Sequence, residues 1–315
     1  MPSSQTILKN LNNFNQYLTQ FPQPQQSSYF EQLIALVFSH IFYLPYFSCD
    51  NEDISITHRV KWQGSLNPVS KASPGKPDII AYCYDFYLMV EATRKTGTKQ
   101  WSQEFAQACR HCDNLVNQNV VQPDNVYIVL VMPKLHQDTY ESVKYYSKYR
   151  FITIETTAVA RILETAILAF TIKHLELLRL LNQMSDCIKG SASLTDFQKD
   201  AESLLTTWQK DVLRVEKNAF IGVKSYEAIC KTGRKSVSAG EILGMLLDNP
   251  IVKQYFDIIH DKPLISCIEK SLIEQSFGVL VGKTIRNESL FEPVSSTDFK
   301  CRSKKLIEEV VKIYG

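Results

Sequence analysis

The sequence predicts an α/β (α+β) protein in which helices flank a mixed sheet, followed by an all-helical C-terminal domain. Two patterns lead to this. Between residues 28 and 156, β-rich runs and amphipathic segments follow one another in the order α-β-β-β-α-β. Beyond that point the periodicity becomes helical throughout. With 315 residues, the chain can hold one large or two medium domains. We therefore expect an N-terminal arm or covering helix (1–27), a core (28–156) and a helical domain (157–315).

Each predicted element of the core rests on a local pattern. A helix should begin at an N-cap of Ser27 or Ser28, because a strong apolar stripe follows. Proline is tolerated at the start of a strand, so Pro77 can open the first strand of a hairpin. In chain order, the core elements are a helix to about His40, strands at 54–62, 77–80 and 86–91, a helix at 100–119, a strand at 126–132, a helix at 137–149 and a strand at 151–154. Later helices are expected at 158–187, 197–217, 264–281 and 299–314.

Composition narrows the class of protein. No apolar run approaches the ~20 residues that cross a bilayer, and the N-terminus lacks a signal-peptide core, so we expect an intracellular, cytoplasmic protein without membrane contact. The eight cysteines are scattered rather than framed for disulfides, and we expect them to be reduced. The net charge of +2 argues against a protein that coats nucleic acid, but it allows local phosphate contacts.

The acidic residues of the hairpin are the strongest functional signal. Asp78 lies near the start of one strand and Glu91 near the end of the next, at the same edge of an antiparallel pair, where cross-strand neighbours are about 5 Å apart. Two such carboxylates repel one another unless a cation or a proton neutralises them. Gln100 and Glu104 share a helical face that can turn toward the hairpin. This pattern is typical of a magnesium site for phosphodiester hydrolysis.

A zinc site at Cys109-x-x-Cys112, with His111 between the two cysteines, is a weaker hypothesis. The segment is predicted to be helical, and no second pair at ligand spacing follows. Two small residues on a packed helix are the favoured interpretation.

Four ordered motifs resemble the PD-(D/E)xK nucleases, and within them the cleavage domain of AlwI-type type IIS restriction endonucleases and related nicking endonucleases. The spacing of the acids, 91 − 78 = 13 and 104 − 91 = 13, follows the same family pattern. The resemblance covers about residues 28 to 155. The motifs are Phe30-Glu31-Gln32-Leu33, Pro77-Asp78-Ile79, Val90-Glu91-Ala92-Thr93, and Gln100-Trp101 with Glu104, Arg110 and His111.

The resemblance implies a type II restriction endonuclease, or a subunit of one, that hydrolyses DNA with Mg²⁺ or Mn²⁺ in a prokaryotic cell. Asp78, Glu91, the Ala92 carbonyl and Glu104 would hold the metal ions. Glu31 would assist catalysis from the first helix, although its position is equally explained by the dipole at a helix N-terminus.

Further roles follow from the same resemblance. Thr93 and Gln100 would orient water or a carboxylate, and Arg110 or His111 would contact phosphate or pair with the acids; His111 is equally explained as a packed helix residue. The usual superfamily lysine, two residues after the second acid, is replaced by Thr93, as in the subgroup. The general base is therefore unassigned, with Lys76, Lys95 and Lys99 near enough in sequence to be considered.

The partner is expected to be double-stranded DNA. One catalytic centre cuts one strand, so we expect a homodimer or a partner subunit for double-strand cleavage. Residues 226–247 could form a helix-turn-helix in which Arg234 and Lys235 touch phosphate, although a solvated basic turn between core helices is the favoured interpretation. The alternatives are a non-catalytic binding module on a nuclease-like core, or a repair or transposon-end nuclease; the intact acids argue against the first.

Overall fold

A computed structural model describes most of the chain. The described residues are 3–41, 58–62, 77–83, 86–117, 122–169, 172, 174–234, 237–268, 291–293 and 298–301. The strands are β1 (His58–Trp62), β2 (Ile79–Cys83), β3 (Phe86–Ala92), β4 (Val126–Met132), β5 (Arg150–Glu155), β6 (Val237–Ser238), β7 (Phe291–Pro293) and β8 (Asp298–Cys301). The α-helices are α1 (Ser4–Asn12), α2 (Phe14–Leu18), α3 (Gln26–Ile41), α4 (Ala106–Asn117), α5 (Gln137–Lys144), α6 (Thr156–Ala169), α7 (His174–Gly190), α8 (Leu194–Val215), α9 (Lys217–Thr232), α10 (Ala239–Leu247) and α11 (Pro250–Ile259).

The chain divides into two compact units. The first comprises residues 1–164 and 172–206, and the second comprises residues 165–171 and 207–315. The expected domain limits at 28 and 157 stay predictions.

The first unit is built on a mixed five-stranded sheet in the order β1-β2-β3-β4-β5. β1, β2 and β3 pair in antiparallel fashion, whereas β3, β4 and β5 run parallel. The mixed sheet with flanking helices is therefore confirmed, as is the hairpin of β2 and β3; its turn at Tyr84 and Asp85 lies outside the described residues. Every residue of β4 is buried, which explains its unbroken apolar sequence.

Alternation along the strands gives the sheet two apolar faces. Met89 and Ile128 point to the same face and pack in one cluster with Ala108 and Cys112 of α4. Glu91, two residues beyond Met89, therefore points toward α4 as well. The N-terminal helices cover the antiparallel strands: α3 packs against β1, β2 and β3, and α1 packs against α3. The N-terminal segment is thus a covering layer with its own buried side chains.

Several predicted boundaries in this unit are corrected. α3 begins at Gln26, ahead of both serines that were expected to cap it. The helix predicted at 137–149 ends at Lys144, where the Tyr145 N–H donates to the Glu141 carbonyl. The single helix predicted at 158–187 is two helices, α6 and α7, separated by a stretch whose β-branched residues favour helix weakly. Residues 54–57 and 118–119 lie outside the described residues.

The second unit is mainly helical, as predicted, but it is not all-helical. β6 pairs with β8, which pairs with β7, in an antiparallel three-stranded sheet. The helix predicted from Phe299 is therefore wrong over 299–301; the strands are two to four residues long, too short to show a period of two in the sequence. Its remainder, 302–314, and residues 269–281 lie outside the described residues. α10 begins at a capping box between Ser238 and Glu241.

The described cysteines, Cys109, Cys112, Cys187, Cys230 and Cys267, form no disulfide. In the part of the chain that the structure describes, no helix combines the length and the apolar character needed to cross a membrane.

Candidate active site

Asp78 and Glu91 meet at one edge of the sheet, as the hairpin predicted. The register pairs Ile79 with Val90, so the residues one step further, Asp78 and Glu91, face each other. Asp78 Oδ2 accepts a hydrogen bond from the Ala92 N–H at 2.9 Å.

Burial makes this pair unusually reluctant to ionise. Glu91 is 1% exposed. Its burial, followed by the negative charge of Glu104, raises the pKa of Glu91 to about 8. Burial and then the charge of Glu91 raise the pKa of Asp78 well above its usual range. Without a cation, burial therefore favours the protonated form of each acid, and Glu91 tends to hold its proton at neutral pH.

His111 connects the acids to α4. Its Nδ1 lies 2.6 Å from Glu91 Oε1, and both side chains are buried. Burial lowers the pKa of His111, while that of Glu91 is raised, so the contact is a hydrogen bond between neutral groups at pH 7 rather than an ion pair. The hypothesis of a zinc site at Cys109-x-x-Cys112 is not supported, because His111 contacts Glu91 and Cys112 packs in the apolar cluster between the sheet and α4.

Gln100 and Glu104 come from a π-helix, Gln100–Phe105, which leads directly into α4. The sequence predicted an ordinary helix here; a π-helical turn is wider, and such turns recur at functional sites. Both side chains are buried. The Gln100 amide binds backbone on both sides of the site: Nε2 donates to the carbonyls of Lys95 (3.1 Å) and Lys134 (2.8 Å), and Oε1 accepts from the His136 N–H (2.9 Å).

Thr93 also binds backbone. Its N–H donates to the Val131 carbonyl at 2.9 Å, and its Oγ1 accepts from the Lys95 N–H at 3.0 Å. Thr93 and Gln100 were expected to orient water or a carboxylate. Their side chains instead bind the backbone N–H and the backbone carbonyl of Lys95.

Lys95 is the site residue that sequence reasoning left undecided. Its Nζ contacts Glu104 Oε1. Lys95 and Lys99 are both exposed, and Lys76 lies outside the described residues. The only sequence signal was the spacing Glu-x-Thr-x-Lys, in which the lysine stands two positions later than in the superfamily motif.

Glu31 and Arg110 lie at the periphery. Glu31 is buried on α3, and its charge adds a small rise to the pKa of Glu91 after burial and Glu104. Arg94 Nη1 donates to Gln26 Oε1 at 2.9 Å, which ties the segment after β3 to α3. Arg110 is exposed on α4, and its charge contributes to lowering the pKa of His111, after burial.

The donor set fits a hard divalent cation. Among the described residues, no three His, Cys, Asp or Glu side chains converge on one point; Glu104 instead contacts Lys95. Nevertheless, Asp78 and Glu91 offer carboxylate oxygens whose pKa values are raised by burial and then by neighbouring acids, and the charge of Glu104 acts on both. Carboxylate oxygens of this kind are the ligands that Mg²⁺ prefers.

Comparison with known proteins identifies the family of this chain. The model of the AlwI restriction endonuclease family matches residues 3–212. The chain belongs to the AlwI restriction endonuclease family. The match confirms the resemblance drawn from the motifs and extends it in both directions, over the N-terminal helices and into α8.

A search of solved structures finds the small subunit of a heterodimeric restriction endonuclease, with a TM-score of 0.46 and 16% identity, covering 66% of this chain and 98% of that chain. No curated protein matches the chain.

Beyond the matched residues of this AlwI-family endonuclease lies the predicted helix-turn-helix. α9 and α10 flank the turn, with β6 inserted before α10. Arg234 Nη1 lies 2.7 Å from Glu241 Oε1, and Lys235 is outside the described residues. The charge of Arg234 is thus matched locally, which is what a solvated basic turn would show.

Proposed function

We propose that this restriction endonuclease hydrolyses DNA phosphodiester bonds with Mg²⁺, for which Mn²⁺ can substitute, at the edge formed by Asp78, Glu91 and Glu104. The observation that carries the proposal is the Asp78–Glu91 pair. Two carboxyl groups face each other in a buried site, and the pKa of each is raised, first by burial and then by a neighbouring carboxylate. A purely structural role would not require two acids at this place, since two side chains that do not ionise would avoid the cost of burying them.

Asp78, Glu91 and the Ala92 carbonyl would hold the ion, and Glu104 would bind a second ion or position the attacking water. When bound, Mg²⁺ supplies Lewis-acid activation of the phosphate and a more acidic water. The neighbouring residues then have definable tasks. The hydrogen bond from His111 fixes the orientation of the Glu91 carboxylate, and Asp78 is fixed by the Ala92 N–H. Arg110, exposed on the same helix as His111, would contact a backbone phosphate.

The proposal extends to the assembly. One centre of this kind cuts one strand, so double-strand cleavage requires a second copy or a partner subunit that brings a second centre. Sequence specificity would reside mainly after residue 156, outside the core.

The test is cleavage of supercoiled plasmid by the purified chain in Mg²⁺, Mn²⁺ or EDTA. The variant Glu91→Gln removes the charge while keeping the shape, and Glu141→Gln, a change at an exposed residue of α5, is the matched control. We expect metal-dependent nicking by the wild type and the control, and none by Glu91→Gln. Cleavage that persists in EDTA would contradict the metal centre. Intact DNA with every metal, in the presence of tight DNA binding, would support a non-catalytic module instead.

A further inference from the structure

We propose that Lys95 is a catalytic residue of this endonuclease: its ammonium group occupies the place of a cation on Glu104 in the metal-free protein and moves to the reacting phosphate once the divalent ion binds. This inference rests on the proposed function. It assigns the position of the missing superfamily lysine to a residue two places further along the chain.

The backbone of Lys95 is held from both sides. Thr93 Oγ1 accepts from its N–H at 3.0 Å, and Gln100 Nε2 donates to its carbonyl at 3.1 Å. Both partners are themselves anchored, Thr93 on β4 through the Val131 carbonyl and Gln100 by Lys134 and His136. Gln100 is fully buried, so its amide has no task at the surface. Two buried polar side chains therefore fix the point from which one lysine side chain extends into the site.

The ammonium group itself is free to move. The Lys95 side chain is 43% exposed, whereas that of Glu104 is 11% exposed. An ion pair that is partly exposed to solvent is weak, and the lysine ammonium sits on a flexible four-carbon chain. A divalent ion attracted by Asp78, Glu91 and Glu104 together can displace it. In the metal-free protein, the contact of the Lys95 ammonium with Glu104 thus lowers the repulsion among the three acids.

The displaced group has a defined destination. The transferring phosphoryl group carries negative charge on its oxygens, and a lysine ammonium is a suitable point charge for it. Because Lys95 acts as a cation throughout, no proton is transferred by it in this step.

The experiment measures two quantities, the affinity for Mg²⁺ by calorimetry without DNA and the rate of plasmid nicking, for Lys95→Gln, Lys95→Arg and Lys99→Gln. Lys99→Gln makes the same charge change in the same connecting segment (residues 93–99), on a side chain that is exposed like that of Lys95. For Lys95→Gln we expect Mg²⁺ binding about tenfold tighter, since the competing cation is gone, and kcat reduced by about 10²-fold, the usual cost of removing one charge-stabilising donor. Lys95→Arg should keep near-wild-type metal affinity and recover part of the rate, and Lys99→Gln should bind Mg²⁺ like the wild type.

If the ion pair only holds Glu104 in position, its loss in Lys95→Gln should instead weaken Mg²⁺ binding. Weaker Mg²⁺ binding by Lys95→Gln, together with a lower melting temperature, would overturn the inference, as would a wild-type nicking rate in that variant. Both results leave the metal centre intact. Absence of Mg²⁺ binding by the wild type itself would overturn the proposed function, and this inference with it.

Discussion

The sequence suggested functional charged residues in each unit, Asp78 with Glu91 in the first and Arg234 with Lys235 in the second, and the structure places Asp78 and Arg234 in different surroundings. Asp78 and Glu91 are like charges brought together in a buried site, and the pKa of each is raised. Arg234 and Glu241 are opposite charges on the surface, with side chains 60% and 50% exposed. The pKa of Glu241 is lowered, chiefly by the Ser238 N–H and then by Arg234.

The difference separates a site from a local structural contact. Arg234 and Glu241 compensate each other's charge, and Glu241 also completes the capping box of α10 with Ser238, so this pair needs no ligand. The buried pair lacks a compensating charge, which is why we propose a cation as its ligand. Charged residues stand close in the sequence in both units, so the sequence alone does not separate the two cases. The burial of Asp78 and Glu91 does.

The largest expected effect is on the buried pair. Asp78→Asn and Glu91→Gln should each reduce nicking by about 10³-fold or more, because each removes a metal-holding charge. The same variants should raise the melting temperature of the metal-free protein at pH 9, because they abolish the repulsion. Cleavage assays and thermal melts in EDTA measure the two effects. Loss of activity together with loss of stability would mean that the pair is structural.

The next effect concerns the residue that orients the pair. His111→Ala should lower Mg²⁺ affinity or nicking rate by about 10–100-fold, the usual range for partners of metal-holding carboxylates. His111→Gln, which can still donate a hydrogen bond, should lose less. Calorimetry and initial nicking rates distinguish them, and equal losses in the two variants would show that the ring packs rather than orients.

A smaller effect should appear in the pH dependence of stability. The pKa of Glu91 is about 8 in the folded protein, against roughly 4.3 when unfolded. Between these values the folded state binds more protons, so raising the pH from 6 toward 9 should destabilise the metal-free protein. The pKa of His111 is lowered in the folded protein, so its contribution to stability increases with pH until the unfolded pKa of about 6.5 is passed. Above pH 7 this contribution is constant and does not oppose the decline caused by Glu91. Melts in EDTA should show the decline, and Mg²⁺ should remove it. A melting temperature that rises between pH 7 and 9 without metal would contradict the assignment.

The smallest effect is expected at the surface pair. Arg234→Gln and Glu241→Gln should change nicking and DNA affinity by no more than about twofold, because exposed pairs contribute little; glutamine at position 241 can also still complete the capping box. Fluorescence anisotropy with duplex DNA measures the affinity. A tenfold loss of binding in Arg234→Gln alone would break the comparison and restore the phosphate-contact hypothesis.

The sequence predicted the parts of the site that depend on strand periodicity. Asp78 and Glu91 could be placed together because a hairpin alternates its side chains and pairs its ends. His111 could be placed on the following helix, although its partner stayed open.

The rest depended on geometry that no local pattern encodes. Gln100 reaches Lys95 and Lys134 from a π-helical turn where an ordinary helix was expected. Lys95 enters the site through a segment that turns at Gly97, whose φ of 62° favours glycine. β8 forms only through pairing with β6 and β7, which are distant in sequence or very short. Side chains that bind backbone across a site leave no periodic trace.

The most direct test of the buried pair as a metal centre is calorimetric titration of the wild type with Mg²⁺ at pH 7, in two buffers of different ionisation enthalpy. The proton that Glu91 holds must leave when the ion binds, so the account predicts release of about one proton or more per ion. Glu91→Gln should show no binding at this site. Mg²⁺ binding without proton release, or unchanged binding by Glu91→Gln, would contradict the assignment of the metal to Asp78 and Glu91.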